Sequence, residues 1–155
     1  MWNKIKPYVY SIALALGVGA LASFLTQNSM AAYESVPKSA LTPPSVAFPI
    51  VWSVLFLLMG ISAAMVWKTD SPMKKQALTV YGIQLAVNFF WSILFFNLQA
   101  YLFAFLWLIL LWCLILAMIV LFYRINKAAG LLQIPYLLWV SFAGYLNCVI
   151  WIMNR

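Results

Sequence analysis

The sequence has almost no acid and no histidine. Its only carboxylates among 155 residues are Glu34 and Asp70, and neither lies in an apolar stretch. Without a carboxylate pair there is no ordinary general acid–base couple, and without histidine there is no Ser-His-Asp set. No His/Cys/Asp/Glu cluster is left to hold zinc, so no metal site is expected. Proton-coupled pumps use an ionisable group inside a membrane span, and the long apolar runs contain none. Cys113 and Cys148 both fall in apolar runs. They read as buried small hydrophobes rather than as a disulfide.

Charge of either sign is scarce. Only 7% of residues are charged and 67% are hydrophobic, against about 25% charged in a soluble domain. So few charges do not solvate a globule of this size, and a bilayer has to supply part of the solvent. The expected fold class is therefore an all-α integral membrane protein, a five-transmembrane-helix bundle forming one domain over the whole chain. Two lysines precede the first apolar run, as in a signal peptide, but the run is too long for that and lacks a clear cleavage box.

Run lengths place the spans, since a helix needs about 20 apolar residues to cross the hydrocarbon. No charge occurs from Tyr8 to Tyr33, and Pro7 suits a helix start, giving a first helix at about 7–27. The second, opened by Pro43-Pro44, runs over about 45–67. Gln76 to Tyr123 is uncharged throughout, too long for one span and right for two. Asn97-Leu98-Gln99 is its polar break, so the third and fourth helices fall at about 76–97 and 100–123. The fifth takes about 130–152, with Pro135 in its early turns. A loop of about 28–43 joins the first two spans and, as the longest loop, reads as a lid.

Charge asymmetry predicts the orientation. Lys4, Lys6, Lys68, Lys74, Lys75, Arg124 and Lys127 share one side, and only Lys38 and Arg155 lie on the other. By the positive-inside rule the N-terminus is cytoplasmic and the C-terminus extracytoplasmic. The net charge of +7 thus needs no nucleic-acid partner, and the bilayer with its anionic lipid is the expected counterpart.

The eight tryptophans divide by their company. Trp2, Trp67 and Trp151 lie near span ends, where interfacial belts are usual. Trp107 and Trp112 are deep in the fourth span and read as packing or lipid-facing. Trp52 and Phe56 are one turn apart, with Gly60 continuing the row. Gln84, Asn88 and Ser92 share a face beside Trp91 and Phe95, and Trp139, Ala143 and Asn147 share another. Amides do not face lipid tails cheaply, so Gln84, Asn88 and Asn147 point into the bundle. At 1.5 Å rise per residue Trp52 and Trp91 both lie roughly 10 Å below the outer boundary, and Asn147 roughly 8 Å. Ala143, Gly144 and Gly60 leave room among them. Apolar walls, stacking faces and a few amides suit a flat ligand, with Tyr33, Pro43 and Pro44 of the lid above. The same pattern is also what interhelical packing produces, with amides as glue. A second row, Ser11, Ala15, Gly19 and Ser23, permits close helix approach, within one bundle or across a homodimer seam.

Three segments together resemble the tryptophan-rich sensory protein (TspO) family, also called translocator protein or peripheral benzodiazepine receptor. They are Pro43-Pro44 through Phe48-Pro49-Ile50-Val51-Trp52 with Gly60; Gln84-Leu85 through Asn88-Phe89-Phe90-Trp91-Ser92 with Phe95-Phe96; and Pro135-Tyr136-Leu137-Leu138-Trp139 through Phe142-Ala143, Leu146-Asn147 and Trp151. The resemblance implies a five-helix fold in a cell membrane, usually homodimeric. It implies no tightly bound cofactor but protoporphyrin IX or a related tetrapyrrole as ligand or substrate, and synthetic benzodiazepine-site drugs in the same pocket. Carried onto this chain, the pocket includes Trp52, Phe56, Asn88, Trp91, Trp139, Ala143 and Asn147. Bacterial relatives are linked to light- and oxygen-dependent porphyrin breakdown, with the tryptophans matching Trp52 and Trp139 implicated. Transmembrane carriage of tetrapyrroles is the alternative. The chain departs from the family at Leu41 and Val46, where many relatives carry tryptophan, and at Phe56, where many carry tyrosine. Cys148 and Ile152 replace the two polar anchors of the animal sterol motif.

Overall fold

The computed structural model describes residues 1–155, and its regular structure is all helical, with no strand. Helix α1 (Trp2–Thr26) passes through a 3-10 turn, Gln27–Ser29, into the short α2 (Met30–Ser35). Helix α3 spans Ala47–Lys68, and α4 (Lys74–Ser92) continues as a π-helical segment, Ile93–Asn97. Helix α5 covers Tyr101–Ile125, and α6 (Lys127–Leu131) leads into α7 (Ile134–Met153). Five of the resulting stretches are long and apolar enough to cross a membrane.

The spans follow from uninterrupted apolar sequence, and their ends from local chemistry. Two prolines block helix before α3, and Pro44 then accepts the Ala47 N–H at 2.9 Å. Asn126 is extended and its side chain accepts the Ala129 N–H at 3.3 Å, capping α6. Pro135 sits in the first turn of α7, where its missing N–H leaves no bond unmade. The first helix starts earlier than expected: Trp2 opens it and Pro7 lies inside. The lid also differs from the expected loop of 28–43. Its first part is wound into the 3-10 turn and α2, because Met30-Ala31-Ala32 are good helix formers. The irregular stretch is 36–46.

Helix α1 packs along α3, and α5 lies between α4 and α7. The α1–α3 approach depends on small residues. A Cβ on Gly60 would stand 2.6 Å from the Ile12 backbone, and one on Gly19 would stand 2.6 Å from the Phe56 ring. Ser11 and Ala15 are buried in the same seam, so the first half of the small-residue row serves packing within the bundle. Gly60 therefore does not open room for a ligand, and Gly144 does not either, because it faces Leu108 of α5.

Two tryptophans of α5 fasten it to its neighbours. The Trp107 indole donates to the Val87 carbonyl at 2.7 Å and the Trp112 indole to Ser141 Oγ at 2.9 Å. Cys113 is exposed and Cys148 half-buried, both as free thiols. The expectation of burial fails at Cys113 because α5 turns that face outward. The bundle has two unlike ends. The start of α1, the α3–α4 turn and the α5–α6 turn form a basic end; α2, the 36–46 loop and the end of α7 form a lid end.

Candidate functional site

Below the lid, α1, α3, α4 with its π segment, and α7 enclose a cavity of about 730 Å³. Small-molecule sites are commonly about 300–1,000 Å³. From α3 come Trp52 and Phe56, with ring centroids 5.7 Å apart. From α4 and the π segment come Asn88, Trp91, Phe95 and Phe96. Trp91 and Phe95 stack at 5.1 Å, and Phe95 meets Phe96 edge-on at 4.9 Å. The wider π turn allows both consecutive phenylalanines to line the wall. From α7 come Trp139, Ala143 and Asn147.

Tyr33 of α2 closes the top. Its ring contacts Phe96, Phe95 and Phe48 at 5.3, 5.9 and 6.2 Å, and it is almost wholly buried. The Lys38 ammonium locks the end of α2. It donates to the carbonyls of Tyr33, Glu34 and Val36 at 2.9, 3.0 and 2.9 Å and stands 4.8 Å over the Tyr33 ring. The lid is tied to α7 by Asn154 Nδ2 donating to the Pro37 carbonyl at 3.2 Å and by Ser39 and Tyr145 hydroxyls 3.0 Å apart. Asn97 also joins helices: its Nδ2 donates to the Leu25 carbonyl at 3.0 Å, and its Oδ1 accepts from Ser29 at 2.7 Å.

The polar groups fall into two sets. One set is satisfied within the protein. Asn88 Nδ2 donates to Tyr136 Oη at 2.6 Å, and the Tyr136 hydroxyl donates to Gln84 Oε1 at 2.7 Å. Trp91 Nε1 donates to Asn147 Oδ1 at 3.2 Å, and Asn147 Nδ2 donates to the Tyr101 carbonyl at 2.8 Å. The other set has no partner. The Trp139 indole nitrogen is buried and unbonded, a state that costs about 1–3 kcal/mol unless an acceptor arrives. The opposite side of Trp139 backs a wholly apolar groove between α3 and α7, lined by Val54, Leu58 and Leu138 among others. That indole is thus the wall between the cavity and the bundle's outer face.

Of the residues singled out from sequence, Tyr33, Trp52, Phe56, Asn88, Trp91, Phe95, Trp139, Ala143 and Asn147 border this cavity. Gln84 and Pro43 do not. Gln84 lies one turn below Asn88, fully buried behind the Tyr136 ring, and so braces the floor. Pro43 belongs to the turn that starts α3, and the mouth is formed instead by Ser45, Val46, Phe48 and Pro49. Sequence reasoning missed the α1 wall, which includes Leu16, Gly19, Ser23 and Gln27, and it missed Glu34 at the mouth. The row of small residues on α1 was the available signal, since two of its members, Gly19 and Ser23, face the cavity.

Five membrane spans around an aromatic, lidded cavity define a multi-pass membrane protein built to enclose an internal space. The chain belongs to the TspO/MBR family, which matches residues 11–152, in accord with its three motif segments. It is 38% identical over 159 residues to the tryptophan-rich protein TspO of Chlorobaculum tepidum, covering 99% of each chain. It is 36% identical over 148 residues to protein CrtK of Rhodobacter capsulatus, covering 94% of this chain and 91% of the relative. The translocator protein of Sus scrofa is 29% identical over 157 residues, with 96% and 92% covered.

Proposed function

We propose that the protein binds a flat tetrapyrrole, protoporphyrin IX or a close relative, in this cavity and promotes its light- and oxygen-dependent breakdown. The observation that carries the reading is that Trp52 of α3 and Trp139 of α7 border the same cavity. Indole faces hold a macrocycle by stacking, and indole is readily oxidised. Held against the excited macrocycle, the indole donates an electron to it, and dioxygen, the oxidant consumed, accepts the electron in turn. The protein's part is to hold these reactants together. Benzodiazepine-site drugs, being flat and apolar, compete for the same space. We further propose that the basic end faces the cytoplasm across a plasma membrane, from the seven-to-two distribution of Lys and Arg, and that the functional unit is a homodimer, as the family resemblance implies.

The test is a porphyrin titration in detergent, in the dark and then under illumination. Tryptophan quenching should saturate, and light should bleach the Soret band. Changing Trp52 and Trp139 together to Phe should preserve dark binding within about fivefold and slow bleaching about tenfold or more. Bleaching at the unaltered rate in that variant removes the indoles from the chemistry.

A further inference from the structure

The cavity carries one formal charge, and it is negative. Among all lining residues Glu34 is the one carboxylate, and no Lys or Arg reaches the lining. Glu34 is exposed at the rim, on α2 beside Tyr33. Its carboxylate forms no hydrogen bond within the protein. The neighbouring cation does not neutralise it at contact range: the Lys38 ammonium takes the backbone carbonyls of Tyr33, Glu34 and Val36 instead.

The rest of the wall supplies no counter-charge for an anion. Phe96, Trp52 and Trp139 line the space below Glu34, and the Tyr33 ring above it already carries the Lys38 ammonium at 4.8 Å. The polar groups deeper in the site are neutral: the indole N–H of Trp139 is buried and unbonded, and the Asn88 amide is taken by Tyr136. Neither compensates a carboxylate that has left water.

We propose that the cavity selects its ligand by charge through Glu34. An aromatic molecule with a protonated amine at its outer end is favoured, the amine sitting beside Glu34. A tetrapyrrole that carries acid groups binds with them turned out of the mouth into water, and more weakly than its neutral ester. This deepens the ligand-cavity reading and rests on it. The size of the effect is that of one exposed charge a few ångströms away, about three- to fivefold in Kd, shrinking as salt is added.

Three probes test it by tryptophan quenching in one detergent: protoporphyrin IX, its dimethyl ester, and a tricyclic amine with a dimethylaminopropyl arm. Each Kd is compared between the parent protein and Glu34→Gln, so that a probe's partition into detergent cancels. The substitution removes no internal hydrogen bond and keeps the fold. It should weaken the amine about three- to fivefold, tighten the diacid by about the same factor and leave the ester unchanged. Glu34→Asp should stay near the parent for all three. If Glu34→Gln shifts none of the probes while the ester still saturates at one site, charge selection is wrong and the cavity reading stands. If no probe saturates on the parent protein, the cavity reading fails and charge selection falls with it.

Discussion

The two ends of the bundle are built from the same helices but reach opposite results. Toward the basic end α1 and α3 close to backbone contact. Met59, Ala64, Val66, Ala77, Ile115 and Met118 are completely shielded there, Tyr81 packs on Phe122 at 6.0 Å, and Ser62 Oγ donates to the Ala129 carbonyl at 2.6 Å. Toward the lid end the same helices part around a cavity. The switch comes within about one turn of α3. Gly60 admits the Ile12 backbone, whereas Phe56 and Trp52 fill the equivalent row with rings that hold the helices apart. Small residues close a membrane bundle because dispersion contacts need proximity. Rings at the same spacing prop it open and leave their faces for something else to cover.

The comparison breaks most severely at Gly60. Gly60→Val has no room for its Cβ against the Ile12 backbone, and backbone does not give way as a side chain tip does. We expect a loss of about 3 kcal/mol or outright failure to assemble, read as thermal unfolding in detergent. Gly82, whose Cβ would meet nothing within 4 Å, supplies the control: Gly82→Val should unfold at nearly the parent temperature. Equal losses in the two variants would mean that close approach at the α1–α3 crossing is not what closes the basic end.

Next in size is the boundary between the two halves. Tyr136 Oη bridges the side chains of Asn88 above and Gln84 below, and all three are buried. Tyr136→Phe keeps the ring against Trp52, 6.2 Å away, but orphans an amide donor and an amide acceptor. Buried orphans cost about 1–3 kcal/mol, and interhelical bonds within membranes fall toward the lower part of that range. We expect about 1 kcal/mol of lost stability, with weakened binding of a flat ligand because the Asn88 amide is no longer held. An unchanged melting temperature would make the network incidental.

Much of the architecture was legible from run lengths alone, because a stretch of some twenty uncharged apolar residues has few other uses. The amides on α4 and α7 were legible for a related reason, since lipid gives them no partner. The remainder needed three dimensions. A row at i, i+4 fixes a face of its own helix but not which neighbour that face meets. Gly60 and Gly144 therefore looked like lining and prove to be packing, while Gly19 and Ser23 looked like packing and border the cavity. Gln84 and Asn88 lie on one face with one chemistry, and only the Tyr136 ring between them separates brace from wall. The π segment has no residue signature, and the α2 helix was hidden in a stretch read as loop because its six residues are too few to show a period.

The smallest effect sits at the lid-end hairpin. Gln99 has φ of 50° and is the one non-glycine residue with positive φ. It is held there because the π segment ends on Leu98 N–H bonding the Ile93 carbonyl at 3.0 Å, and Ala100 N–H then reaches back to Leu94 at 3.0 Å. An L side chain in the left-handed region costs about 1–2 kcal/mol, and glycine gives back about 0.5–1 kcal/mol of that through its freer unfolded chain. Gln99→Gly should therefore stabilise by about 0.5 kcal/mol, while Gln99→Val, branched at Cβ, should destabilise by about 1 kcal/mol or more. Thermal unfolding of the pair in detergent reads the sign directly. If glycine and valine shift the midpoint in the same direction, the hairpin relaxes out of this geometry, and the lid end stores no backbone strain to set against the relaxed packing of the basic end.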